Sequence, residues 1–228
     1  MHATPALTSA VAVARVRRCR PGSRRALLGA ILLGTAAGAS AYTVTLSPAT
    51  PVTVYLQVGV GSFTNDYING GQPGNDTTVN TVTATLAAAA VGNGSAQAMT
   101  TNSTATQSYW DGYTYCSVPG QVYIGGFYRT AGGTTSAALV TATVPAALTD
   151  ATGDTIPFSK IQWTSSGNGD TGAEPFPAGA FVSGAVQNVG SMAGNTWNES
   201  CWTFSYSNNS VPPAGTFTGL VRYTLSAP

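Results

Sequence analysis

Histidine occurs once in this chain, at His2, lysine once, at Lys160, and charged residues make up only 7% of the 228. An export signal over residues 1–41 would take the histidine with it. The Ser/His/Asp triad, the Cys/His pair and His-ligated zinc are then all out of reach. Basic clusters are also missing beyond residue 41. Only Arg129, Lys160 and Arg222 remain there against eight carboxylates, a net charge of −5. Nucleic acid is therefore not an expected partner, because neutralising phosphates requires Lys and Arg in number. Attraction to anionic lipid fails for the same reason. Long apolar runs are absent too. The one at residues 26–37 is about a dozen long, whereas roughly 20 residues span a bilayer, so no membrane insertion is expected once it is cut.

Residues 1–41 have the order of an export signal. Arg15, Arg17, Arg18, Arg20, Arg24 and Arg25 precede the apolar run, with no acid among them, and Ala39-Ser40-Ala41 follows as a small-residue cleavage site. Ser23 to Leu28 also resemble the core of a twin-arginine signal, which leaves two export routes open. The expected organisation is a cleaved signal over 1–41 and one domain over 42–228, located in the periplasm, at the cell surface or outside the cell. Cys19 leaves with the signal. Cys116 and Cys201 remain, an even number in an oxidising compartment, and are expected to form a disulfide. Closing a loop of that length stabilises a fold by roughly 4–5 kcal/mol on the chain-entropy argument.

Thr, Ser, Ala, Gly, Val and Asn dominate the remaining 187 residues, and apolar and polar residues alternate over many short runs. The strictest run is 52–60. Val52, Val54, Leu56, Val58 and Val60 fall on one face, and Thr53, Tyr55, Gln57 and Gly59 on the other. Similar runs lie at 42–47, 78–86, 96–101, 121–129, 137–144, 156–164, 180–187, 200–206 and 215–226. About ten strands separated by Gly, Asn, Asp and Pro predict an all-β fold, a single antiparallel β-sandwich of immunoglobulin-like or jelly-roll-like type. The alanine-rich run 84–91 reads as a strand entering a turn. The polar stretches 64–77 and 167–177 read as long loops.

Aromatic residues crowd the two cysteines. Tyr109, Trp110, Tyr113 and Tyr115 precede Cys116, and Trp197, Trp202, Phe204 and Tyr206 surround Cys201. A disulfide would bring these groups together, either as core packing or as a platform on which sugar rings stack. In the second case Trp110, Asp111, Tyr113, Trp197, Glu199 and Trp202 are the candidate ligand-binding residues, and a neutral polysaccharide is the partner. Among the carboxylates, Glu199 and Asp111 are the best pair to serve a glycosidase. Asp66, Asp76, Asp150, Asp154 and Asp170 stand among turn-forming residues. No calcium-loop pattern of alternating Asp and Asn ligands is present, and no cofactor or catalytic residue is expected.

The run Ala214-Gly215-Thr216-Phe217-Thr218-Gly219-Leu220-Val221-Arg222-Tyr223-Thr224-Leu225 resembles the last strand of secreted spore-coat-U-like and fimbrial subunit domains. Otherwise the chain is similar to exported proteins of Gram-negative bacteria. The resemblance implies an incomplete immunoglobulin-like sandwich that polymerises by strand donation, with 42–60 supplying the alternation. The expectation is an exported structural or adhesive surface protein without catalytic activity, which self-associates or binds other surface proteins. The alternative is a carbohydrate-binding module built on the aromatic residues near the disulfide.

Overall fold

The computed structural model describes residues 44–48, 50, 52–64, 72–74, 76–110, 112–132, 136–167 and 173–228. These all belong to one compact unit, Gly38–Pro228. The expected export signal lies outside the described residues, as do parts of the two polar loops. Two antiparallel sheets carry the fold. Their strands are Val44–Thr45 (β1), Thr53–Val58 (β2), Gln97–Ala98 (β3), Val122–Arg129 (β4), Ala138–Thr143 (β5), Ile161–Ser166 (β6), Gly179–Ala180 (β7), Val186–Met192 (β8), Thr196–Tyr206 (β9) and Arg222–Ser226 (β10). The larger sheet runs β7-β6-β9-β4-β2, with β1 and β3 also paired to β9, and the smaller runs β8-β5-β10. This is the all-β sandwich that the alternation predicts. Three short ladders extend it, Phe63–Thr64 with Gln72–Pro73, Val82–Thr83 with Thr100–Thr101, and Ala147–Thr149 with Thr155–Pro157.

Strand β9 is central because it is flanked along both edges. β4 pairs with its first half, from Thr196↔Tyr128 to Ser200↔Ile124, and β6 with its second, from Cys201↔Ser166 to Tyr206↔Ile161. β1 and β3 fill the remaining edge positions at Trp197 and Ser205. Successive strand side chains point to opposite faces. Trp202, Phe204 and Tyr206 therefore enter the core between the sheets with Ile124, Tyr128, Trp163, Val140, Ala142 and Met192. The segment before β7 closes the end of this core. Phe176 is fully buried and its carbonyl accepts the Trp202 indole N–H at 3.0 Å, while Pro177 accepts that of Trp163 at 2.9 Å. Both indoles are thereby satisfied inside an apolar environment. On the opposite side of the molecule the smaller sheet presents Asn188, Thr141 and Thr224 in one cross-strand rank, and Ser191, Leu139 and Ser226 in the next.

Several expected strands are shorter or divided. Run 78–86 pairs only over Val82–Thr83 and passes into a single 3-10 turn at Ala88–Ala90. That turn is clamped by the buried Asn208, whose amide donates to the Ala90 carbonyl at 2.7 Å and accepts from the Gly92 N–H at 2.7 Å. Run 180–187 is broken at Gly184, whose φ of +71° makes a turn before β8. Run 156–164 is split by a second 3-10 turn at Phe158–Lys160, and run 215–226 pairs as a strand only over β10.

In β2 the period is as expected, and Leu56 and Val58 pack on the inter-sheet core. The two faces are unequally covered: Val52 and Val54 are 52% and 39% exposed, whereas Tyr55 and Gln57 on the other face are 5% and 3% exposed. β2 lies at the end of its sheet, so its inward valines are only partly covered, while the outer face beneath Tyr55 is sealed by other chain segments.

Within the core, the Tyr206 hydroxyl is buried and has no hydrogen-bond partner among the described residues. An unpaired buried hydroxyl costs about 1–3 kcal/mol. Tyr206→Phe should therefore stabilise the protein by roughly 1 kcal/mol, read as a higher urea midpoint with an unchanged m-value.

Candidate functional site

The outer face of the larger sheet is built in cross-strand ranks. Tyr55, Phe127 and Trp197 form one, and Gln57, Gly125 and Glu199 the next. Tyr123 and Cys201 continue the same two strands on the same face. Tyr55 and Trp197 stack at 6.2 Å, Phe127 lies 5.9 Å from Trp197, and Phe63 meets Tyr55 edge-on at 5.1 Å. Gly125 leaves room in the middle of the face, since a Cβ there would run into the Tyr123 hydroxyl. Into that space projects Glu199. One of its oxygens, Oε2, accepts from the Tyr123 hydroxyl at 2.9 Å and from Trp197 Nε1 at 2.8 Å. Beside it the Tyr55 hydroxyl donates to Gln57 Oε1 at 2.6 Å, and Gln57 Nε2 donates to the Gly59 carbonyl at 2.7 Å.

Two segments roof this face. The first is 44–46, whose Val44 and Leu46 are 6% and 1% exposed and join the Tyr55–Phe127–Trp197 cluster. The second is the excursion between β3 and β4. It folds back on itself through Gln107↔Thr114, Ser108 N–H to the Tyr113 carbonyl at 2.8 Å, and Tyr115 N–H to the Thr106 carbonyl at 3.0 Å. Its Tyr109 and Trp110 pack over the aromatic rank. Its second limb is tied down by the disulfide Cys116–Cys201, with a Cα–Cα distance of 5.5 Å, inside a cluster with Ala105 and Tyr123. That distance is ordinary for a disulfide.

The expected neighbourhood thus divides. Trp110, Trp197, Glu199, Cys116 and Cys201 gather on the outer face, and Trp197 and Glu199 are sealed there. Trp202 lies on the other face of β9, fully buried between the sheets. The five-residue spacing from Trp197 is odd, so the pleat separates the two indoles. Tyr113 stands at the tip of the excursion, 55% exposed and stacked on Tyr115 at 6.5 Å. Asp111 lies outside the described residues. Tyr55, Gln57, Tyr123 and Phe127 complete the site and were not among the candidates. The signal for them was the same-face spacing of Tyr123, Gly125 and Phe127 in run 121–129. Among the described residues no three His, Cys, Asp or Glu side chains stand together as a metal site. No helix of the described residues is long and apolar enough to cross a membrane. Comparison with protein-family models, with curated proteins and with solved structures gives no match.

Burial, followed by the neighbouring Glu199 charge, pushes the Tyr123 phenol well above its ordinary value. A phenol freed by unfolding titrates at about 10, so above that pH the unfolded state loses a proton that the folded state keeps. Stability from this group is complete below the unfolded value and declines as pH rises past it. Chemical denaturation at rising alkaline pH should show that decline, and Tyr123→Phe should lessen it, with the Tyr223 phenol, also raised by burial, contributing the same way. Replacing both cysteines by serine should cost about 2–5 kcal/mol, seen as a lower urea midpoint, with loss of the near-ultraviolet dichroism of the roofed aromatic residues.

Proposed function

We propose that this protein is an exported, non-catalytic structural or adhesive subunit of an extracellular assembly. The observation that carries the reading is where the reactive and adhesive side chains go. Trp163, Trp197 and Trp202 are all 4% exposed or less, and Glu199 is committed to two donors beneath a disulfide-anchored roof. Side chains spent on internal cohesion give a rigid body and leave association to the strands.

The strand best suited to association is β1. Among the described residues it pairs with its own domain at Val44↔Trp197 and Thr45↔Thr196, with Leu46 N–H donating to the Asn195 carbonyl at 2.8 Å. Another copy's segment can make the same contacts, so strand exchange needs no new interface. Burial of Val44 and Leu46 favours docking by roughly 1.5–3 kcal/mol each, wherever the segment comes from.

Sedimentation velocity over a range of concentrations, before and after refolding, tests the reading. The wild type should form oligomers. A variant with Thr45→Cys and Thr196→Cys, which ties β1 to its own domain, should remain monomeric. A wild type that is strictly monomeric throughout would sink the proposal. Leu46→Ala should cost about 2–5 kcal/mol and weaken association in parallel.

The carbohydrate reading retains one specific support, the exposure of Tyr113 beside the half-buried Trp110. On that reading a glycan array gives binding to neutral polysaccharides that Tyr113→Ala removes.

A further inference from the structure

A subunit that meets its own copies outside the cell can be joined to them covalently, and this chain offers few chemistries for doing so. Its single lysine, Lys160, donates to Asn209 Oδ1 at 2.6 Å. Cys116 and Cys201, 2% and 0% exposed, are spent on each other. Tyrosine is the abundant remaining group, at ten residues. Among the described tyrosines, Tyr55, Tyr123, Tyr128 and Tyr206 are buried, and Tyr109, Tyr115 and Tyr223 are half-buried. Tyr113 is the exposed one, at the tip of the excursion. Its neighbour Gly112 has a φ of +75°, and a Cβ built there would meet nothing within 4 Å, so the tip is sterically open.

Beneath Tyr113 the rings continue inward. Tyr115 stacks on it at 6.5 Å with an interplanar angle of 20°, and Tyr123 lies 6.2 Å beyond Tyr115. An electron vacancy formed at either inner ring can be filled from the next ring outward. It ends at Tyr113, where a second molecule can reach it.

We propose that Tyr113 is an oxidative cross-linking site, joined by a carbon–carbon dityrosine bond to the same residue of a second copy under a peroxidase-class oxidant. This rests on the reading of the protein as a self-associating subunit. Each Tyr113 phenol gives one electron to the oxidised haem of the peroxidase and its phenolic proton to water. The two phenoxyl radicals couple through ring carbons ortho to oxygen. Each coupled carbon then loses its hydrogen as a proton while the oxygen regains one, which restores both aromatic rings. Per cross-link two electrons and two protons leave, and one hydrogen peroxide takes them up to become two waters.

The test treats the folded protein with a haem peroxidase and hydrogen peroxide. Denaturing gels, dityrosine fluorescence and mass spectrometry of the linked peptides give the readout. The expected result is a covalent dimer in which two Tyr113 peptides are joined with loss of one hydrogen from each. Tyr113→Phe, an exposed and conservative change, should lose the dimer, and Tyr115→Phe should keep it. A dimer that persists in Tyr113→Phe, or maps to Tyr42 or Tyr67, overturns the proposal. So does a wild type that fails to couple while free tyrosine in the same reaction does. Dilution separates the two readings: a Tyr113-linked dimer whose yield survives dilution supports both. One that forms only in concentrated solution keeps the cross-linking site and removes the assembly.

Discussion

Strand β9 is buried on both of its faces, and the rest of the molecule is arranged around that constraint. A strand in a two-layer sandwich ordinarily shows one face to the core and one to water. Here Trp197, Glu199 and Cys201 on one face and Ser200, Trp202, Phe204 and Tyr206 on the other are all withdrawn from solvent. The inner face is covered by the smaller sheet in the ordinary way. The outer face has no second sheet to cover it, and irregular chain does the work. An irregular roof brings its own backbone polar groups and cannot form a ladder with the sheet below. The excursion meets that difficulty by bonding to itself, as a small hairpin-like fold, and by one covalent tie to β9. The disulfide is thus where the main strand and its irregular cover are held together.

Buried polar atoms beneath the roof follow the same logic. Trp197 and Tyr123 each carry one donor that must be satisfied out of water, and Glu199 receives both on a single oxygen. Gly125 is part of this arrangement because the Tyr123 phenol occupies the volume a side chain would take. In the inter-sheet core the indole N–H groups of Trp163 and Trp202 are instead met by main-chain carbonyls of the 176–177 segment. Four large polar-tipped aromatic residues are therefore accommodated by two different devices. The surface left over carries few charges, and on the smaller sheet the exposed Leu139 and Val186 stand among Thr, Ser and Asn side chains.

Much of this was legible in the sequence, and what was not has a definite physical cause. Alternation at 121–129 and 137–144 marks β4 and β5 almost to the residue, because both are central strands whose period is enforced by neighbours on either side. The even cysteine count gave the disulfide. Run 52–60 has the right period, but periodicity reports two faces without saying which is better covered. A two-layer sandwich ordinarily leaves one face to water, and here the roof covers Tyr55 and Gln57 on that face as well. Run 78–86 alternates as well as a true strand does, yet it pairs over two residues, since pairing depends on an available edge rather than on the segment alone. At the candidate site, the clustering of aromatic residues near both cysteines was correct as a neighbourhood. What proximity in sequence could not convey is that Trp197 and Trp202, five apart on one strand, must face opposite ways.

The two parts of the roof are held by different kinds of force, and this sorts their freedom to move. The 102–121 excursion has a hydrogen-bonded interior and a disulfide at its second limb, so full release of that limb requires breaking a covalent bond or unfolding β9. Among the described residues the β1 segment is held by the buried Val44 and Leu46 and by main-chain bonds at the edge of the sheet. Local opening energies run from near zero at lightly held elements up to the global value at the core, and a short edge strand without a covalent tie lies lower on that scale than a disulfide-bonded limb. A molecule built in this way can release one edge strand while the aromatic interior beneath the disulfide stays closed.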